Sequence, residues 1–234
     1  MEQEIIKHTK KIFGIIKRPG HSFMEKSTGI VTEVLIIVFA VTLSIWLHSI
    51  SEHHREQKEV RAFFKNLLVD LDKDVSWMKA ATRSYNEMNK LLDQIVNLTP
   101  SRIDSLKKND NDVRFPFQEL MNQVNCGNYE GFKSSGKIGQ IENEELRKAI
   151  LNYYQQDAPT IIDVNNLYND YMLRTLDVRA DNADKTNLEA LLSPKMQLRF
   201  EILQMLSTNI LSVYNKSVNH ATELIKLIKE ELKK

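Results

Sequence analysis

The 234-residue chain is poor in the residues that punctuate a fold: seven Gly, five Pro and one Cys. A lone cysteine, Cys126, excludes an intramolecular disulfide and a cysteine metal cluster, and is expected to be a small core residue. So few turn formers exclude a sandwich or barrel built from many short strands. An excess of charge of one sign is missing too. Lys and Arg number 32 and Asp and Glu 31, so the net charge is +1. Nucleic-acid binding is not expected without a clustered basic face. Long polar stretches with regularly spaced apolar residues remain, and these predict an all-α protein.

One stretch lacks charge altogether. Val34 to Ser51 is eighteen residues without Asp, Glu, Lys or Arg. A hydrocarbon core of about 30 Å takes roughly 20 mostly apolar residues in a helix, and Ile30–Ile50 supplies that length. A cleaved signal peptide has a shorter apolar region and a small-residue cleavage site. The stretch Leu47-His48-Ser49-Ile50-Ser51-Glu52 is a poor one, so an uncleaved signal anchor is expected. The twenty residues up to Lys26 hold six Lys and Arg, against four in Glu52–Leu71. That bias places the N-terminus in the cytoplasm and the remainder in the periplasm of a bacterial inner membrane. The expected divisions are a cytoplasmic amphipathic arm at 1–29, a transmembrane helix at 30–51 and an extracytoplasmic helical domain at 52–234.

Glu33 stands at the inner threshold of the span. A carboxylate costs much less near the interface than at the bilayer centre. Headgroup water, a helix partner in an oligomer or larger complex, and an ion-conducting role are the readings, in that order. Trp46, near the outer end, fits an interfacial anchor. In the arm, Ile5, Ile6, Ile12, Phe13 and Ile16 recur at helical spacing among Lys7, Lys10, Lys11, Lys17 and Arg18, until Pro19-Gly20 stops the pattern. Ile5, Ile12, Phe13 and Ile16 are expected to touch anionic lipid or a partner protein.

Beyond the span, Val60, Phe64, Leu67, Leu71, Val75, Met78, Ala81, Tyr85, Met88, Leu92 and Ile95 step by three or four. Ten steps cover 35 residues, a heptad period. No Pro or Gly lies between Val34 and Leu98, so one long helix is expected, ended by Thr99-Pro100. A polar connector is expected over Leu106–Val113, and short helices over Pro116–Val124 and Tyr129–Ser134, with a break at Cys126-Gly127-Asn128. Asn143 is the expected N-cap of a helix from Glu144 to about Gln156. Pro159 is expected to reset the chain before a helix over Thr160–Val178, followed by a loop at Ala180–Lys185. Ser193-Pro194 reads as cap and first residue of a last long helix to about Leu232, with Leu203, Leu206, Ile210, Val213, Ser217, Ala221, Leu224, Ile228 and Leu232 expected on one face.

Several chemical patterns fail on inspection. Gly131-Phe132-Lys133-Ser134-Ser135-Gly136-Lys137-Ile138 approaches a phosphate-binding loop, but Ile138 stands where Ser or Thr must hold magnesium, and no strand precedes it. A helix stopped by Gly136 explains it better, and no nucleotide is expected. His48, Glu52, His53, His54 and Glu56 read as a solvated juxtamembrane stretch, with a metal- or pH-sensitive ring in an oligomer as the minor alternative. Asp163, Asp170, Asp177, Asp181 and Asp184 lack calcium-loop spacing. No acid–base pair or nucleophile triad can be inferred, so the chain is expected not to be an enzyme and to carry no cofactor. Tyr153, Tyr154, Tyr168 and Tyr171 follow helical spacing; they are expected in the core, with a ligand groove as the alternative.

The middle of the chain carries a pattern: Phe132-Lys133-Ser134-Ser135-Gly136-Lys137-Ile138, then Ile141-Glu142-Asn143, Leu146 and Asn152-Tyr153-Tyr154. With the acid before the span, it resembles an uncharacterised family of bacterial single-pass membrane proteins with a helical extracytoplasmic domain. The resemblance is loose over Thr32–Tyr154 and best over Phe132–Tyr154. This chain has Thr32-Glu33 where Gly usually stands beside the acid, and lacks the usual Asn/Trp-rich stretch after the span. The C-terminal third does not match. The resemblance implies the same topology and no activity. Together these readings predict a membrane-anchored helical interaction protein, contacting the lipid bilayer, as a homo-oligomer or an accessory subunit of an envelope complex. The alternative is an extracytoplasmic ligand-binding sensor domain on a membrane anchor.

Overall fold

A computed structural model describes residues 6, 7, 10, 23–108, 117 and 124–234. Among these there is no strand, and the chain is all-α. Helix α1 comprises Phe23–Val96, 74 residues. The backbone divides into two compact units, Met1–Glu59 and Val60–Lys234.

In the first unit the apolar side chains of α1 stand open. Leu35, Phe39 and Ile45 are each more than 60% exposed. This is the one described segment long and apolar enough to cross a membrane. Glu33 is the exception, at 7% exposed.

In the second unit, α1 from Val60 onward packs with two long helices, α5 (Ala158–Ala180) and α7 (Pro194–Glu231). The short elements between them are α2 (Pro100–Lys108), α3 (Gly127–Ser134), α4 (Glu144–Asn152) and α6 (Asn187–Leu191). Helix α7 runs antiparallel to α1: Arg61 donates to the Leu232 carbonyl near one end, and Gln197 reaches the Ile95 carbonyl near the other. One core cluster joins Met78, Tyr85 and Leu92 of α1 to Ile161 and Tyr168 of α5 and Phe200, Leu203 and Tyr214 of α7. A second joins Val60, Phe64, Leu67 and Leu71 to Tyr129, Leu146, Ile150, Tyr153 and Tyr154, and to Leu224 and Ile228 of α7. Each fully buried leucine contributes about 1.5–3 kcal/mol relative to exposure.

The heptad seam holds with one substitution. Asp74, not Val75, occupies the fully buried position between Leu71 and Met78, and Val75 is only half-buried. On α7, Ser207 and Tyr214 take the buried places expected for Leu206 and Val213.

Four local expectations are corrected. The connector expected from Leu106 is helical to Lys108, because Pro100 opens α2 instead of only closing α1. The break expected at Cys126-Gly127-Asn128 lies one to two residues earlier, at 124–126, and α3 begins at Gly127 instead of Tyr129, with Glu130 N–H bonded to the Cys126 carbonyl at 2.9 Å. The asparagines there bond side chains of α1 and so do not compete for local backbone groups. Pro159 does not reset the chain. Tyr153–Asp157 form a widened π-turn that joins α4 to α5, and Ala158 N–H reaches back five residues to the Tyr153 carbonyl. A wider turn relieves the clash between a proline ring and the carbonyl of the preceding turn. Finally, α6 fills a stretch for which no helix was expected, although Thr186 and Glu189 form a capping box there.

Other expectations match. Gly136 has φ +74°, the left-handed stop after α3. Asn143 caps α4 by accepting from Leu146 N–H at 3.1 Å. Pro194 opens α7, although the Ser193 hydroxyl donates to the Ala190 carbonyl and makes no cap bond of its own. The helix expected over Pro116–Val124 falls largely outside the described residues.

Candidate functional site

The residues expected to face lipid or a partner divide into two sets. Ile5, Ile12, Phe13 and Ile16 lie outside the described residues, where only Ile6, Lys7 and Lys10 are described, each helical. Trp46 is 59% exposed on α1. Glu33, one turn before Ile37, is shielded while Val31, Val34 and Leu35 beside it are open.

The four tyrosines do not line one groove. Tyr153 and Tyr154 belong to the core cluster beside α3 and α4; Tyr168 belongs to the other cluster, with Tyr171 at its margin. The Tyr154 ring stacks on Tyr129 with centroids 4.5 Å apart, and meets Tyr153 edge-on at 5.0 Å. Tyr168 and Tyr214 both sit edge-on to Tyr85, at 5.7 and 5.8 Å. The Tyr214 hydroxyl donates to Asn165 Oδ1 at 2.8 Å. Arg199 lies over the Tyr171 ring at 4.8 Å from its centroid. Burial pushes the Tyr168 and Tyr214 hydroxyls up to about 12 and raises Tyr153, Tyr154 and Tyr85 further still.

Sequence reasoning did not find the polar clasp beside the first pair. Asp74, fully buried, accepts from the backbone N–H and the side-chain amide of Asn125 at 3.0 and 2.6 Å through Oδ1. Its Oδ2 accepts from the Tyr153 hydroxyl at 3.0 Å. One turn earlier, Asp70 Oδ2 accepts from the Asn128 amide at 2.7 Å. Burial raises the Asp74 carboxyl above its ordinary range, opposed by these three donors. Burial, aided by the carboxylates nearby, likewise pushes the Cys126 thiol up, which disfavours the nucleophilic thiolate. The clasp ties the start of α3 and the π-turn to α1. Asp74's place on the seam was the available signal, since its spacing from Leu71 and Met78 is three and four residues.

A groove of about 380 Å³ opens between α4, the π-turn and α7, lined in part by Tyr153, Gln156, Asp157, Lys216, His220 and Glu223. Asp157 is buried, and its Oδ2 lies 2.7 Å from Nδ1 of the half-exposed His220. A carboxylate only accepts, so Nδ1 carries the proton. In contrast, His48, His53 and His54 are exposed on α1, and no described group of three His, Cys, Asp or Glu converges as a metal would require.

Comparison with family models, with curated proteins and with solved structures gave no match to this chain.

Proposed function

We propose that this is a membrane-anchored helical interaction protein, a homo-oligomer or an accessory subunit of a cell-envelope complex. It has no catalytic role. Its place is a bacterial inner membrane, with the N-terminal arm cytoplasmic and the unit Val60–Lys234 periplasmic. The observation that carries the reading is the open apolar surface of α1 between Val34 and Ile50. Water does not tolerate so long an uninterrupted apolar surface on a helix, whereas lipid does. The resemblance over Phe132–Tyr154 supports the same topology.

The polar groups of the helical unit support an interaction role over catalysis. Asp74 is held among donors, and the neutral thiol and phenols beside it are poor nucleophiles and bases. Glu33 organises contacts within the membrane, because an ionisable side chain there is retained against its cost. Purification in mild detergent followed by mass measurement tests this. The reading predicts an oligomer or a stoichiometric complex, and Glu33→Gln weakens it. A monomer whose behaviour is untouched by Glu33→Gln removes the organising role.

The groove along α7 favours a second reading, an extracytoplasmic ligand-binding sensor domain. The tyrosines contribute little to it, since only Tyr153 lines that groove.

A further inference from the structure

We propose that the groove between α4, the π-turn and α7 binds a small zwitterion of dipeptide size. The proposal would supply the ligand for the second reading above, and it stands on binding alone whether or not the chain sits in a membrane.

Lys216, His220, Glu223 and Leu227 follow one another at spacings of four, three and four, so they form one face of α7 along the groove. Two turns apart on this face, Lys216 and Glu223 carry opposite charges. Among the described residues neither Lys216 nor Glu223 has an ion pair, whereas Lys148 on the facing wall is already bonded to Glu144 at 3.1 Å. Seven residues separate Lys216 from Glu223, a rise of about 10 Å along the helix. Charge-assisted contacts of about 2.8 Å at each end leave about 5 Å between the ligand's charged groups. One residue of extended chain advances about 3.5 Å, so the terminal ammonium and carboxylate of a dipeptide fit that gap better than those of a single α-amino acid.

The groove supplies the remaining contacts a peptide needs. Leu224 and Leu227, just past Glu223 along α7, give an apolar wall for the side chain beside the ammonium, and Asn152 and Gln156 line the opposite wall with their side-chain amides. An amide both donates and accepts, which matches a peptide bond. The central pair Asp157–His220 is internally satisfied at 2.7 Å. Asp157 Oδ2 and His220 Nδ1 are thus engaged with each other and not with the ligand's ends. The carboxylate is held by Lys216 and the ammonium by Glu223.

The test uses the full chain in mild detergent, with calorimetry and thermal unfolding in the presence of Ala-Ala and Leu-Ala. N-acetyl-Ala-Ala, which lacks the ammonium, and Ala-Ala-amide, which lacks the carboxylate, serve as comparison probes. The expected result is millimolar or tighter binding of the free dipeptides, with each blocked form weaker by at least about tenfold. Lys216→Ala removes the discrimination against the amide, and Glu223→Ala removes that against the acetylated form. Both side chains are exposed, so both variants keep the fold. Absence of binding by either dipeptide at millimolar concentration overturns the proposal. So does equal binding of free and blocked forms, or binding unaffected by both substitutions.

Discussion

The hydroxyl of Tyr153, on the π-turn, donates to Oδ2 of Asp74, on α1, across 3.0 Å, and both residues are buried. A carboxylate sits on a seam whose flanking buried positions are Leu71 and Met78. It is accommodated because three donors converge on it. Burial nevertheless raises its proton affinity. The folded chain therefore binds a proton at Asp74 more tightly than the unfolded chain does. The stability this contributes is fully present in acid, below the ordinary carboxylate range, and is lost as pH rises through the raised value. Asp74→Asn keeps an acceptor for Asn125 and removes the charge. Its expected outcome is stability at neutral pH equal to or above the parent, with a flatter pH dependence. Asp74→Ala strands buried donors and costs about 2–4 kcal/mol. Urea unfolding of the full chain in detergent, followed by circular dichroism at several pH values, measures both.

The aromatic cores predict an alkaline transition. Tyr168 and Tyr214 are held up to about 12, and Tyr85, Tyr153 and Tyr154 rise still further. Their folded proton affinity exceeds that of free tyrosine, so the stability they contribute is present below pH of about 10 and falls as pH climbs above it. Phenolate absorbance on titration is expected to show these five ionising together, in one step coincident with loss of helical signal. A smooth titration of all seven tyrosines with the helix intact contradicts this.

Two leucines separate core from surface. Leu71 is fully buried between α1 and its partners, whereas Leu173 on α5 is 61% exposed. Leu71→Ala is expected to cost about 2–5 kcal/mol by transfer and cavity terms. Leu173→Ala should stay within about 0.5 kcal/mol of the parent. The midpoints of chemical unfolding read the difference.

Local stops and caps give smaller effects. Gly136, at φ +74°, has open space where a Cβ would stand, so Gly136→Ala meets backbone strain alone and costs about 1–2 kcal/mol. Asn143 both caps α4 and donates to Glu231 Oε2 at 2.6 Å, a bond that holds the Glu231 carboxyl below its ordinary range. Asn143→Ala is expected to cost about 1–2 kcal/mol, mostly through the cap.

Much of this fold is legible in the sequence because helix signals are local. The absence of Pro and Gly from Val34 to Leu98, the cap at Asn143, the stop at Gly136 and the start at Pro194 depend on a few neighbouring residues each. The seam depends on spacing, and its period is right even where its chemistry is not. Asp74 in place of Val75 and Tyr214 in place of Val213 are decided by partners 51 and 49 residues away, Asn125 and Asn165. No local pattern contains them. The same holds for the run through Pro159, where packing of α4 and α5 as one helical stretch outweighs the proline. The Asp157–His220 pair, 63 residues apart in sequence, is likewise visible only once the π-turn and α7 lie together. Tyr153, Tyr154, Tyr168 and Tyr171 share a helical spacing but straddle the π-turn and two core clusters, so spacing alone grouped side chains that packing separates.

The central claim is that α1 holds the chain in a bilayer with Val60–Lys234 on the outer side. Its most direct test is protease treatment of intact spheroplasts carrying the full chain with a C-terminal epitope, paired with alkaline carbonate extraction of the membranes. The account predicts that the chain stays in the carbonate-washed membrane and that protease added outside removes the epitope without lysis. Release of the chain by carbonate, or an epitope cut only after the spheroplasts are opened, contradicts it.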